Sequence, residues 1–287
     1  MQPTTQPTTA HPTTTPHPTM DQPRAAYVEQ VMGLPVSIHV RGPAPRDEPV
    51  TAAVRRAFAL LHRVDELFST YRPDSQVSRI DRGELTLADA DPWLREVCAL
   101  ADQARRETDG LFDVRLPGPD GRRRFDPSGI VKGWAAARAA DLLADVPDHA
   151  YCLNAGGDVA VGHGPLGGRT PSAAEATQPW RIGIDAPGRP GLLGFVECAE
   201  GAVATSGSAA RGDHVLDPRT GRPASGLLSA TVTGPSLLRA DVLATAAFVL
   251  GQDAVRWIER FPGYAAMVVR EDRTVLRSPS FALQPMP

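Results

Sequence analysis

The stretch AYCLNAGGDVAVGHG, residues 150–164, decides the fold class. Two short apolar runs, 151–155 and 158–162, flank Gly156 and Gly157. Apolar runs this short, bounded by glycine, fit strands better than helices. The glycine pair marks a bulge or a close backbone approach to a ligand, or else a plain tight turn between two strands. Upstream, residues 129–145 predict a helix. Downstream, short apolar strands recur near 180–185, 193–198, 201–205 and 228–233 with no helix between them. A buried helix over 237–250, a short helix near 253–260 and a strand at 264–270 close the pattern. Towards the N-terminus, YVEQVMGLPVSIHV (27–40) alternates as a strand pair or a bulged strand broken at Gly33 and Pro35. Val54, Phe58, Leu61, Val64 and Phe68 recur at helical spacing and predict a helix over 49–68. A further helix is expected over 92–107, with Gly110 as its C-cap. Helices and strands mix without the regular alternation of a doubly wound sheet. The expected class is therefore α+β, a mostly antiparallel mixed sheet with packed helices in one large domain over 26–287.

Composition narrows the function. The 287 residues are 42% hydrophobic and 22% charged, with 30 basic and 33 acidic side chains and a net charge of -3. That balance argues against a nucleic-acid partner, and no apolar run is long enough to span a membrane. Cys98, Cys152 and Cys198 are scattered, so neither a disulfide framework nor a zinc site is expected. Residues 1–24 hold 8 Thr and 6 Pro and read as a disordered leader ending near residue 25. They lack the basic start and apolar core of a signal peptide, so a cytoplasmic protein is expected, with Met20 or Met32 as alternative starts. The stretch 163–179, rich in Gly, Pro, Ala and Thr, reads as a mobile loop. Of the 30 basic residues, 29 are arginine and one, Lys132, is lysine. Where a positive charge alone suffices this chain uses Arg, so Lys132 is singled out as a compact ammonium that a planar guanidinium does not replace.

Four segments carry chemistry. In FDPSGIVKGWAAARAADLL (125–143), Asp126, Pro127 and Ser128 start a helix with Ser128 as the expected N-cap, and Lys132 lies one turn inside. A helix N-terminus beside an ammonium suits a phosphate-bearing ligand; the glycine spacing is wrong for a Walker A loop. In the stretch around Gly156–Gly157, Asn154 and Asp158 supply polar groups. AVATSGSAARGDHVLDPRTGRP (202–223) concentrates hydroxyls in TSGS and sets His214 three residues before an Asp217-Pro-x-Thr-Gly turn. His214 is the best candidate there for a titrating group. In LLRADVLATAAFVLG (237–251), Asp241 and Thr245 share a face of a buried helix, and no lysine or arginine at helical spacing covers the carboxylate. A carboxylate with a hydroxyl suits a hard cation such as Mg2+.

MGLPVSI, LFSTYRPDSQVSRI (67–80), GLFDV, DPSGIVKGWA, LNAGGDV, W-x-IGI, VATSG, H-x-x-DPRTG and ADVLATAAFVLG occur in the order of the ApbE-like flavin transferases, and the chain resembles that family from Met32 to about Val269. The resemblance implies a T-fold-like architecture and FAD:protein FMN transferase activity. FMN would move from FAD to a Thr or Ser hydroxyl of a flavoprotein bearing a D-x-x-[ST]-G-A-[ST]-like motif, with release of AMP. It also implies Mg2+ on Asp241 and Thr245, helped by a backbone carbonyl near Ser128–Val131. Lys132, Asp158, His214 and Asp126 would lie around the FAD, and Met32, Tyr71, Ser75, Ser78, Thr205, Ser206, Gly207 and Ser208 would line the flavin pocket. A hydroxyl nucleophile must lose its proton, and His214 or Asp217 is the expected acceptor; Lys132 would neutralise phosphate charge. A Mg2+-dependent FAD pyrophosphatase or a non-catalytic flavin-binding protein would use the same pocket. Three departures from the family pattern stand out: Ala137 where an Asp is frequent, a short small-residue SAARGDH after TSG, and no secretion or lipoprotein signal.

Overall fold

The computed structural model describes residues 22–118, 121–166, 178–208 and 215–286. Two hairpins open the main sheet. β1 (Arg24–Val31) turns into β2 (Leu34–Arg41) through Met32 and Gly33, both left-handed at φ 54° and 69°. This settles 27–40 as a strand pair, since two consecutive positive φ values match the twist of a two-residue hairpin. β5 (Ala150–Ala155) turns into β6 (Asp158–His163) in the same way through Gly156 and Gly157, at φ 60° and 100°. Asn154 Oδ1 accepts the Gly157 N–H at 2.8 Å and fixes that turn. β9 (Gly201–Gly207), β10 (Leu227–Gly234), β11 (Ala265–Arg270) and β12 (Val275–Arg277) complete eight antiparallel strands in the order β1-β2-β5-β6-β9-β10-β11-β12.

The central strands are buried on both faces, which is why their sequences read as continuous apolar runs. Alternate residues feed two cores. Ala160, Ala202, Ala204, Ala230 and Ala266 face one layer, formed by α1 (Glu48–Phe68), α3 (Pro92–Glu107), α4 (Ser128–Ala144) and α5 (Leu237–Leu250). Val159, Val161, Val203 and Met267 face the other layer, a small sheet of β7 (Trp180–Asp185), β8 (Leu192–Cys198) and β13 (Leu283–Gln284), where they meet Ile182, Ile184, Val196 and Phe281. Alanine on the helix side lets α4 and α5 lie close to the strands. Gly133 lets them lie close to each other, since a Cβ there would fall 2.7 Å from the Asp241 Cβ. α6 (Ala254–Trp257), flanked by 3-10 turns, replaces the single short helix expected over 253–260.

Short elements escaped the periodicity: α2 (Gln76–Asp81) and the ribbon of β3 (Arg115–Pro117) with β4 (Arg123–Phe125). The ribbon is pinned to α2 by the Phe125 N–H, which donates to Asp81 Oδ1 at 2.8 Å. Ser128 is not the cap of α4. The helix starts on Ser128 itself, and the Asp126 carboxylate accepts the Ser128 N–H at 2.9 Å. No helix among the described residues is long and apolar enough to cross a membrane, and all three cysteines are free. Residues 1–21 of the expected disordered leader and most of the 163–179 loop lie outside the described residues; the leader ends earlier than expected, because Arg24 and Ala25 already pair with Arg41 and Val40 in the first hairpin.

Candidate functional site

Both two-residue hairpin turns lie at one end of the sheet, and beside them opens a cavity of about 1110 Å3. The end of α1 contributes Phe68, followed by Ser69 and Tyr71; α4 contributes Ser128, Gly129 and Lys132; α5 contributes Asp241 and Thr245; β9 contributes Thr205, Ser206 and Gly207. Met32, Asp126, Asn154, Gly156 and Gly157 complete the wall nearest these groups, and Arg181, Ile182 and Asp185 of β7 form the far side.

At the base lies a buried charge cluster. The Lys132 ammonium pairs with Asp158 Oδ2 and stands 3.6 Å from Asp241 Oδ1. Asp158 is fully buried and Asp241 is 2% exposed. The other Asp158 oxygen accepts the Thr205 N–H at 3.2 Å, and Asp241 Oδ2 accepts the Gly133 N–H at 2.9 Å. Two carboxylates against one ammonium leave the cluster short of positive charge. Burial, then the Asp158 carboxylate beside it, push Asp241 up to about 7, against the pull of Lys132 and the Gly133 amide. Beside Asp241 two hydroxyls meet, Ser206 Oγ and Thr245 Oγ1 at 3.0 Å. A divalent ion fits this donor set: a buried carboxylate held partly protonated for want of positive charge, with hydroxyl oxygens next to it. Across the strand, the exposed Thr205 bonds the fully buried Thr231 hydroxyl at 2.9 Å.

The structure therefore brings Met32, Tyr71, Asp126, Lys132, Thr205, Ser206, Gly207, Asp241 and Thr245 to one cavity, with Asp158 directly beneath. The cation beside Asp241 comes from the neighbouring helix and not from its own, since Lys132 of α4 reaches it. Ser75 and Ser78 do not reach the cavity. Ser75 caps α2: its hydroxyl donates to Ser69 O at 2.6 Å and accepts the Ser78 N–H at 3.1 Å, so it holds the loop that carries Tyr71. Asp217 is also off the wall, although Leu216 and Pro218 line it. Its carboxylate binds Arg219 at 2.8 and 2.9 Å, which holds it below the usual range. His214 and the short segment after Ser208 lie outside the described residues. Gly133 and Thr231 escaped sequence reading, because their partners, Asp241 and Thr205, are distant in the chain.

The profile described as "ApbE family" matches residues 32–119 and 115–268. A FAD:protein FMN transferase of Vibrio cholerae is 27% identical over 273 residues, covering 74% of this chain and 78% of that protein. One from Salmonella typhimurium is 30% identical over 265 residues, covering 72% and 74%. Among solved structures, the ApbE protein of Thermotoga maritima superposes with a TM-score of 0.74 at 24% identity, over 90% of this chain and 98% of that one.

Proposed function

The chain belongs to the ApbE family, and from that premise we propose that it is a Mg2+-dependent FAD:protein FMN transferase acting on a Thr or Ser hydroxyl of a target flavoprotein. The observation that carries the reading is the buried Lys132–Asp158–Asp241 cluster at the base of a large cavity, beside the Ser206–Thr245 hydroxyl pair.

The hydroxyl oxygen attacks the phosphorus of the FMN half, the bond to the bridging oxygen breaks, and AMP departs with that oxygen. Negative charge concentrates on the non-bridging oxygens, so the site must supply fixed positive charge there. Asp158 holds the Lys132 ammonium at the cavity base. The first turn of α4, at Ser128 and Gly129, turns its positive end to the same cavity. Asp241 and Thr245 would hold Mg2+, with Ser206 adjoining, and the ion would supply further neutralisation of the diphosphate. Arg219 keeps Asp217 acidic and so a poor base, which favours His214 as the acceptor of the hydroxyl proton. The acceptor is expected to carry a D-x-x-[ST]-G-A-[ST]-like motif.

Incubation with FAD, Mg2+ and an acceptor domain tests the reading. An acid-stable yellow label on the acceptor together with free AMP supports it. Free FMN and AMP with no label would reassign the site to FAD hydrolysis, and bound, unchanged FAD would leave a flavin-binding protein.

A further inference from the structure

One oxygen of Asp241 is already engaged. Oδ2 accepts the Gly133 N–H at 2.9 Å inside the α4–α5 contact, and Oδ1 alone faces Lys132. That contact requires glycine. A Cβ at 133 would lie 2.8 Å from Oδ2, 2.7 Å from the Asp241 Cβ and 3.2 Å from its Cγ. Asp241 is 2% exposed and sits in a helix interior, so it has no room to swing aside. Oδ2 thus carries a fixed backbone donor that competes with a cation for it, while Oδ1 faces Lys132.

We propose that Gly133 is the residue that sets cation choice: by occupying Oδ2 it makes Asp241 a one-oxygen ligand and favours Mg2+ over Ca2+. Mg2+ takes near-octahedral oxygens at close range and keeps several waters. Ca2+ takes roughly six to eight oxygens and readily uses both atoms of a carboxylate. This inference rests on the metal reading above and concerns the helix contact behind the site.

The test is calorimetric titration of the full chain with MgCl2 and with CaCl2, independent of turnover. The wild type is expected to bind Mg2+ at least tenfold more tightly than Ca2+. In Gly133→Ala, checked for native near-UV circular dichroism, Mg2+ affinity should fall tenfold or more while Ca2+ affinity changes less than threefold. A parallel change in both affinities, or none, would overturn the role of Gly133 and leave the metal reading standing. Equal affinities in the wild type would overturn it too, even if the variant fails to fold. A wild type that binds neither ion would remove the metal reading itself.

Discussion

The two faces of the eight-stranded sheet are built from the same strands and differ in what they bury. The face towards β7, β8 and β13 buries Val159, Val161, Val203 and Met267 against Ile182, Ile184, Val196 and Phe281. The face towards the helices sets alanines (Ala160, Ala202, Ala204, Ala230, Ala266) among Ile38, Leu153, Val232 and Val268, and near its end it buries two carboxylates and an ammonium. Large aliphatic side chains fill space and contribute stability through area removed from water. Small ones let helices approach until backbone and carboxylate touch, as at Gly133 and Asp241. The first face stabilises the fold; the second spends stability on groups that dislike burial, as functional sites do.

That contrast can be broken by substitution. Asp241→Ala removes the carboxylate proposed to hold the cation, and AMP release from FAD should fall by roughly 10³-fold, the size of effect seen when a preorganised electrostatic partner is lost. Thermal unfolding should change little or improve, because an uncompensated charge has gone; retained turnover would erase the distinction between the faces. Lys132→Met and Phe281→Ala should then cost about the same in urea unfolding, roughly 3–5 kcal/mol each, one by stranding buried charge and the other by leaving a cavity. Their pH dependence should separate them. The Lys132→Met loss should shrink towards pH 4 as the stranded Asp241, already raised to about 7, protonates, whereas the Phe281→Ala loss should stay level.

A gentler probe is Asp241→Asn. The folded value of Asp241, about 7, lies above its ordinary 3.8. Its contribution to stability is thus fully present below about pH 4 and is lost as pH rises through 7. Relative to Asp241→Asn, wild-type unfolding free energy should decline across that window, and added Mg2+ should offset the decline at the upper end. An unchanged difference between pH 4 and 7 would remove the charge deficit inferred for the cluster. The smallest effect is expected from Ser75→Ala. Loss of the α2 cap should cost about 1 kcal/mol, with FAD turnover nearly intact, because Ser75 supports the Tyr71 loop from behind the cavity wall.

What the sequence made legible follows from the range of each interaction. The long helices carry their own period, so Val54, Phe58, Leu61, Val64 and Phe68 marked α1 and are all buried. The antiparallel class followed from strands running in succession. The ribbon of three-residue strands and the six-residue α2 carry too few periods to show, and α2 buries only Val77. In the site, Lys132 stood out by its rarity and Asp241 by its apolar surroundings. Their meeting did not, because 109 positions separate Lys132 from Asp241 in the chain. Ser75 and Ser78 were read as pocket-lining because they fall in the right segment; spacing along a chain reports proximity and not the direction in which a hydroxyl points. Ser128 was read as the cap for the converse reason: it lay at the right place, yet the helix begins on it, Pro127 holds the cap position, and the Asp126 carboxylate accepts the Ser128 N–H.

The aromatic contacts around α4 have a practical consequence. Trp134, two residues beyond Lys132, is 2% exposed and packs 5.6 Å from the ring of Phe68, itself part of the cavity wall. Trp93 adjoins it at 5.7 Å. An isoalloxazine absorbs where indole emits, so a flavin entering this chamber should quench the intrinsic ultraviolet emission, and the molecule carries its own optical gauge of occupancy.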